Sequence, residues 1–281
     1  MMSHATRYLR QTLTLLVLLV VSTFSFGAAS DASIDKLMDL SGLTKQVAQL
    51  PEVIRAGLQQ AHQGGAPIAE EDFQAMMSSS REAFEPSRIM SGIRASLQAS
   101  LSEEQVAELL TWYQSDLGRE ITRAEESGST PEAYQQMIAE APALLADQEK
   151  MAFSQTVNEL FGGTDMAMDL QKHSSLAVYS ALMTASQPGT AVNIGEIEKQ
   201  VEAGLQQNRA SIEQMVLISL AYSYRNLEQE KLAQYEAFLK QPAATEFNQA
   251  AMSSIDRELK NSITEWAGQL ATHFAGTSKQ I

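Results

Sequence analysis

Apolar side chains return every three or four residues along nearly the whole chain after residue 32, and this spacing most constrains what the chain can fold into. The clearest run is Phe247, Ala251, Ile255, Leu259, Ile263, Trp266, Leu270 and Phe274. These positions share one stripe of a helix roughly 30 residues long. Pro242 suits the first turn of that helix, where no backbone N–H is needed. A second run begins at Asn193. Its side chain can cap a helix, and Glu196, three residues on, can return the hydrogen bond. Ile197, Val201, Leu205, Ile212, Met215 and Val216 are then expected on the buried face. Period-two alternation, the mark of a half-buried strand, is not sustained anywhere. Pro and Gly punctuate the helical runs at Pro51, Gln63 to Pro67, Pro86, Ser127 to Pro131, Phe161 to Asp165, and Gln187 to Thr190. The expected fold is all-α, with eight to ten helices and no sheet.

One local pattern occurs twice. In LSEEQVAELLTWYQSDLGREI, from Leu101, Ser102 and Gln105 have the spacing of a capping box. Val106, Leu109, Leu110 and Tyr113 then share a face, with Trp112 beside it. Ser115 ends that helix and can cap the next. Asp116 suits the new helix N-terminus, Leu117 and Ile121 continue the core, and Gly118 permits a close approach. At an offset of 126 (112 to 238), Trp112 answers to Phe238, Asp116 to Pro242 and Gly118 to Ala244. Leu101, Glu104, Ala107 and Glu120 are identical to Leu227, Glu230, Ala233 and Glu246. A looser match joins Ser33 onwards to Thr156 onwards. The spacing predicts two related helical halves built on helix hairpins, residues 31–150 and 151–281, arising by internal duplication.

The stretch 101–121 resembles the signature of the domain of unknown function 2059. That signature is an acidic helix start, an aromatic–Tyr pair and then Ser-Pro-x-Gly. Trp112, Tyr113, Ser115 and Gly118 match it, and Asp116 stands where Pro is usual. The second copy keeps Pro242 but lacks the Ser and the Gly. The resemblance implies an exported, all-helical protein of Gram-negative bacteria and implies no activity. Ser102, Trp112, Tyr113, Ser115, Leu117, Gly118, Phe238 and Pro242 are its structural motif here.

Arg7 and Arg10 precede an apolar run from Leu13 to Val21, and small residues follow at Gly27 to Ser30. This is the layout of a secretory signal peptide spanning residues 1–30, cut after Ala29 or Ser30. The run is shorter than the roughly 20 apolar residues of a membrane span. No later stretch qualifies, so no integral membrane segment is expected after leader removal. The expected location is the periplasm. Cysteine is absent, which excludes disulfides, thiol catalysis and a lipid-attached lipoprotein. Lys and Arg number 20 against 34 Asp and Glu, a net charge of −14. Such a surface repels phosphate backbones, so nucleic acid is not an expected partner.

No catalytic constellation stands out. His62, His173 and His273 lie far apart and read as surface or helix-end residues rather than metal ligands. No HExxH, GxSxG or GxxxxGK[ST] occurs. The acid pairs Glu70–Glu71, Glu103–Glu104 and Glu125–Glu126 point about 100° apart on a helix, which suits solvation and helix N-termini better than a dyad. Met76, Met77, Met166 and Met168 fit core filling better than copper binding. No cofactor, metal or catalytic residue is assigned, and no enzymatic activity is expected. A cleft holding two or more polar side chains with displaced pKa values would reopen that question. The function read from the sequence is a non-catalytic interaction protein of the cell envelope with an unknown envelope partner. The alternative is a carrier holding a lipid or fatty acid between helical layers.

Overall fold

The computed structural model describes residues 28–63, 69–186 and 194–277. The leader's apolar core, Gly64 to Pro67, Gln187 to Thr190 and the Asn193 cap lie outside the described residues. Among the described residues twelve helices follow one another: α1 (Asp31–Leu40), α2 (Leu43–Gln63), α3 (Glu70–Ala83), α4 (Pro86–Ser100), α5 (Glu103–Tyr113), α6 (Asp116–Gly128), α7 (Pro131–Ala146), α8 (Gln148–Phe161), α9 (Gly163–Ser186), α10 (Ile194–Ser223), α11 (Gln229–Leu239) and α12 (Pro242–Thr277). Among the described residues no strand forms, and the one β-like contact is an isolated antiparallel bridge between Ala28 and Ser102.

The all-α class is as expected, but the number of helices exceeds eight to ten. One break is almost invisible in sequence. Gly42 takes positive φ, 78°, between α1 and α2, whereas Gly162, φ 66°, separates α8 from α9 at the break expected over Phe161 to Asp165. Pro51 corrects the reading in the other direction. It lies inside α2 rather than between helices, at the loss of one backbone hydrogen bond. Pro86 and Pro131 instead open α4 and α7, behind the caps of Glu85 and Thr130.

The long helix α12 organises the core by packing along α9, α4 and α3. Trp266 is fully buried, meets the edge of Phe84 at 5.8 Å, and donates its Nε1 hydrogen to Ser79 Oγ at 2.8 Å. The main core draws Ile34, Leu37, Ile93 and Val106 from the first expected half and Phe153, Leu232, Phe247 and Leu259 from the second. A smaller core joins α7 to α10 through Met137, Leu144, Ile218 and Tyr222. The expected buried face of α10 needs correction. Leu205 is buried, but Met215 is 39 % exposed and the other positions of that face are half-buried; Ile197, Val201 and Ile212 border an open depression against α9.

The two corners share a backbone pattern. Gln114 N–H donates to Leu110 O and Ser115 N–H to Trp112 O; 126 positions on (112 to 238), Lys240 N–H donates to Glu236 O and Gln241 N–H to Phe238 O. The corners also touch. Trp112 stacks on Phe238 with ring centroids 4.3 Å apart and planes 7° from parallel.

Candidate functional site

The motif residues build the first corner. Ser102 and Gln105 form the reciprocal capping box of α5. Ser115 Oγ accepts from Gly118 N–H at 2.9 Å and caps α6. A Cβ on Gly118 would collide with the Trp112 carbonyl oxygen, so the chain turns tightly because this residue has no side chain. Leu117 packs half-buried against the core, and Pro242 opens α12. Trp112, Tyr113 and Phe238 come together in one aromatic group, in which Tyr113 meets the edge of Phe238 at 5.7 Å.

Behind this corner lies a cluster that the sequence reading missed. The backbone of α6 repeats its inward face at Leu117, Ile121 and Glu125, four residues apart. Glu125 is half-buried, and its carboxyl turns inward, where Tyr224 Oη donates to Oε1 at 2.6 Å and Tyr235 Oη donates to the same oxygen at 2.7 Å. Oε2 has no protein donor among the described residues. Tyr224 follows the end of α10, and Tyr235 lies on α11. Their rings are 5.9 Å apart, and Phe153 meets Tyr224 edge-on at 5.3 Å. From α8, Lys150 Nζ donates to the carbonyl of Tyr224 at 3.1 Å and to that of Leu227, which holds the chain after α10 in place. Burial lowers the Lys150 pKa from its ordinary value, against the pull of Asp147 and Glu149. The neighbour Glu126 points the other way and pairs with Lys45 at 2.7 Å. The pair is thus no dyad, as its spacing implied. Solvation, however, is the wrong account of Glu125, whose place on the apolar stripe after Ile121 was the signal.

Burial drives the Glu125 carboxyl above the usual carboxylate range, outweighing the two tyrosine hydrogen bonds that favour the ionised form. Burial, and then the Glu125 charge, raise Tyr113, Tyr224 and Tyr235 as well. All four groups are therefore biased toward their neutral forms.

This cluster forms one end of a cleft. A cavity of about 500 Å³ is lined by Glu125, Tyr113, Tyr224 and Tyr235 together with apolar side chains of α2, α8, α9, α10 and α12. A second cavity of about 370 Å³ adjoins it and shares Leu43, Gln46, Leu50, Phe161, Met166 and Met252. At the far end His173 is 5 % exposed, with Nε2 2.8 Å from Asp256 Oδ1. This corrects the reading of His173 as a surface residue, since the α9–α12 contact encloses it. His62 does end α2, stacked on Phe73 at 4.0 Å, and the His273 side chain lies outside the described residues. Met76 and Met168 are buried, whereas Met166 is 42 % exposed and borders the cleft. A depression of about 700 Å³ between the distal parts of α9 and α10 is lined by Tyr179, Met183, Ile197 and Leu205, without an enclosed cluster of this kind.

Residues 87–147, from α4 to α7, match the family model described as an uncharacterized protein conserved in bacteria, the domain of unknown function 2059. This segment belongs to that family. The domain 2059 segment supplies Tyr113 and Glu125, while Tyr224, Tyr235 and the opposite wall of the cleft come from outside it. No curated protein and no solved structure matches the chain.

Proposed function

We propose that this protein is a non-catalytic binding protein of the bacterial cell envelope that holds an apolar small molecule in the cleft beside Glu125. The observation that carries this reading is the pair of adjoining cavities, about 500 and 370 Å³, with mainly apolar walls and a few convergent polar groups at one end. Each lies within the roughly 300–1,000 Å³ of ordinary ligand pockets. Met166 and Met252 at the junction suit a flexible chain, because unbranched thioethers adapt to irregular shapes.

The export reading is retained. Among the described residues no helix is long and apolar enough to cross a membrane. Ser30 caps α1 by accepting from Ser33 N–H, which favours leader removal after Ala29 over removal after Ser30. Contact with an envelope component has its own support on α7, whose outer face leaves Tyr134, Ile138 and Leu145 exposed. The recurrence of the corner hydrogen bonds supports internal duplication, with 31–150 and 151–281 as diverged copies.

An acid–base centre is the competing reading, because the cleft does hold several polar groups with displaced pKa values. The same displacements favour a neutral acid and neutral phenols, which suits hydrogen bonding to a guest. The test offers purified protein hexadecanol, hexadecylamine and palmitic acid in native mass spectrometry and thermal melts. Uptake of at least one is expected, reduced by Ala167→Trp, which fills the cleft from α9. Uptake of none, or turnover in a hydrolase screen that depends on Glu125, overturns the proposal.

A further inference from the structure

The charge pattern of the cleft selects among apolar guests. Neither cavity is lined by Lys or Arg, and its ionisable lining is acidic apart from His173 and the tyrosines. Four carboxyl side chains line the joined cavities: Glu125, Asp165, Asp169 and Asp256. Three already face a basic group. Asp165 meets Arg209 at 2.7 Å, Asp169 meets Lys172 at 3.5 Å and Asp256 meets His173 at 2.8 Å. Glu125 alone has no cationic neighbour among the described residues and is held only by phenol hydroxyls, with Oε2 unengaged. Three tyrosines of the cleft wall surround it, and Phe247 lines the same cavity.

We infer that the cleft recognises a long-chain amphiphile with a cationic amine head, seated with its ammonium group at Glu125 and its tail between α2, α9 and α12. This rests on the binding reading above. An ammonium head can donate to Glu125 Oε2 and to the Tyr113 oxygen, which has no hydrogen bond among the described residues. The aromatic faces suit a cation as well. A guest of this kind supplies a counter-charge that favours the ionised carboxylate, against the burial that raises the Glu125 carboxyl. A fatty acid would place its carboxylate beside Glu125 in a cleft whose lining has no Lys or Arg to receive it. It is disfavoured by the desolvation of a charge that no cation of the lining offsets.

The experiment compares hexadecylamine, hexadecanol and palmitic acid, three guests of equal chain length, by isothermal titration near neutral pH and below their aggregation concentrations. The amine is expected to bind roughly tenfold or more tighter than the alcohol, as charge-assisted hydrogen bonds imply, and palmitic acid weakest. In Glu125→Gln the amine should fall to the level of the alcohol. Equal binding of amine and alcohol in the unsubstituted protein overturns the inference, as does preference for palmitic acid, while leaving the binding reading in place. Failure of all three overturns both. The order of affinities in the unsubstituted protein decides the matter even if Glu125→Gln folds poorly.

Discussion

Glu125 carries an acid on the apolar side of α6, where solvation is poor and two phenols supply the only donors among the described residues. Its folded pKa is raised, so the folded state holds this proton more tightly than the unfolded chain does. Protonated, the group costs folding little. Ionised, it destabilises, and that loss grows as pH climbs from the ordinary Glu value of about 4.3 through the raised folded value. Glu125→Gln keeps the shape and cannot ionise. The variant should therefore melt above the unsubstituted protein at neutral and alkaline pH, and the two should converge below about pH 4. Thermal melts across that range test this. A variant that melts lower at neutral pH would mean that the tyrosines repay more than burial takes.

At the scale of elements, the corner between α5 and α6 rests on two small residues. Ser115 satisfies the Gly118 N–H, and Gly118 lets α6 start directly under the Trp112 carbonyl. Ser115→Ala should cost on the order of 1 kcal/mol in urea unfolding. Gly118→Ala should cost about 1–3 kcal/mol, because the added methyl has a backbone oxygen in its way rather than a flexible side chain. Equal tolerance of alanine at both positions would show that the corner is held by its aromatic stack alone. The motif around Trp112 and Tyr113 was legible because caps and turns are local. Gly42 was harder to read as a helix end than the Gly162–Gly163 pair, because a single residue in the left-handed region leaves almost no gap in the apolar spacing.

At the scale of the molecule, the two expected halves share one core. Trp266, Leu259 and Ile263 of α12 are buried with Phe84, Ile89 and Ile93 near the start of the chain. Residues 31–150 expressed alone should keep much helical circular dichroism yet lose a sharp unfolding transition. Their apolar stripes would lack the surface that buries them. A cooperative urea transition of that fragment would mean that it is an independent domain.

Local signals in the sequence were enough for the all-helical class, the capped starts at Ser102 and Ser115, the stripe of α12 and the match of 101–121 to domain 2059. Each depends on residues a few positions apart, where helical geometry alone fixes who neighbours whom. The enclosure of Glu125 by Tyr224 and Tyr235, 99 and 110 positions away, and the pairing of His173 with Asp256, depend on how α6, α9, α11 and α12 meet. Periodicity says that a face is buried and not what it is buried against, so the cleft and its single carboxyl without a cation existed only once the helices had packed.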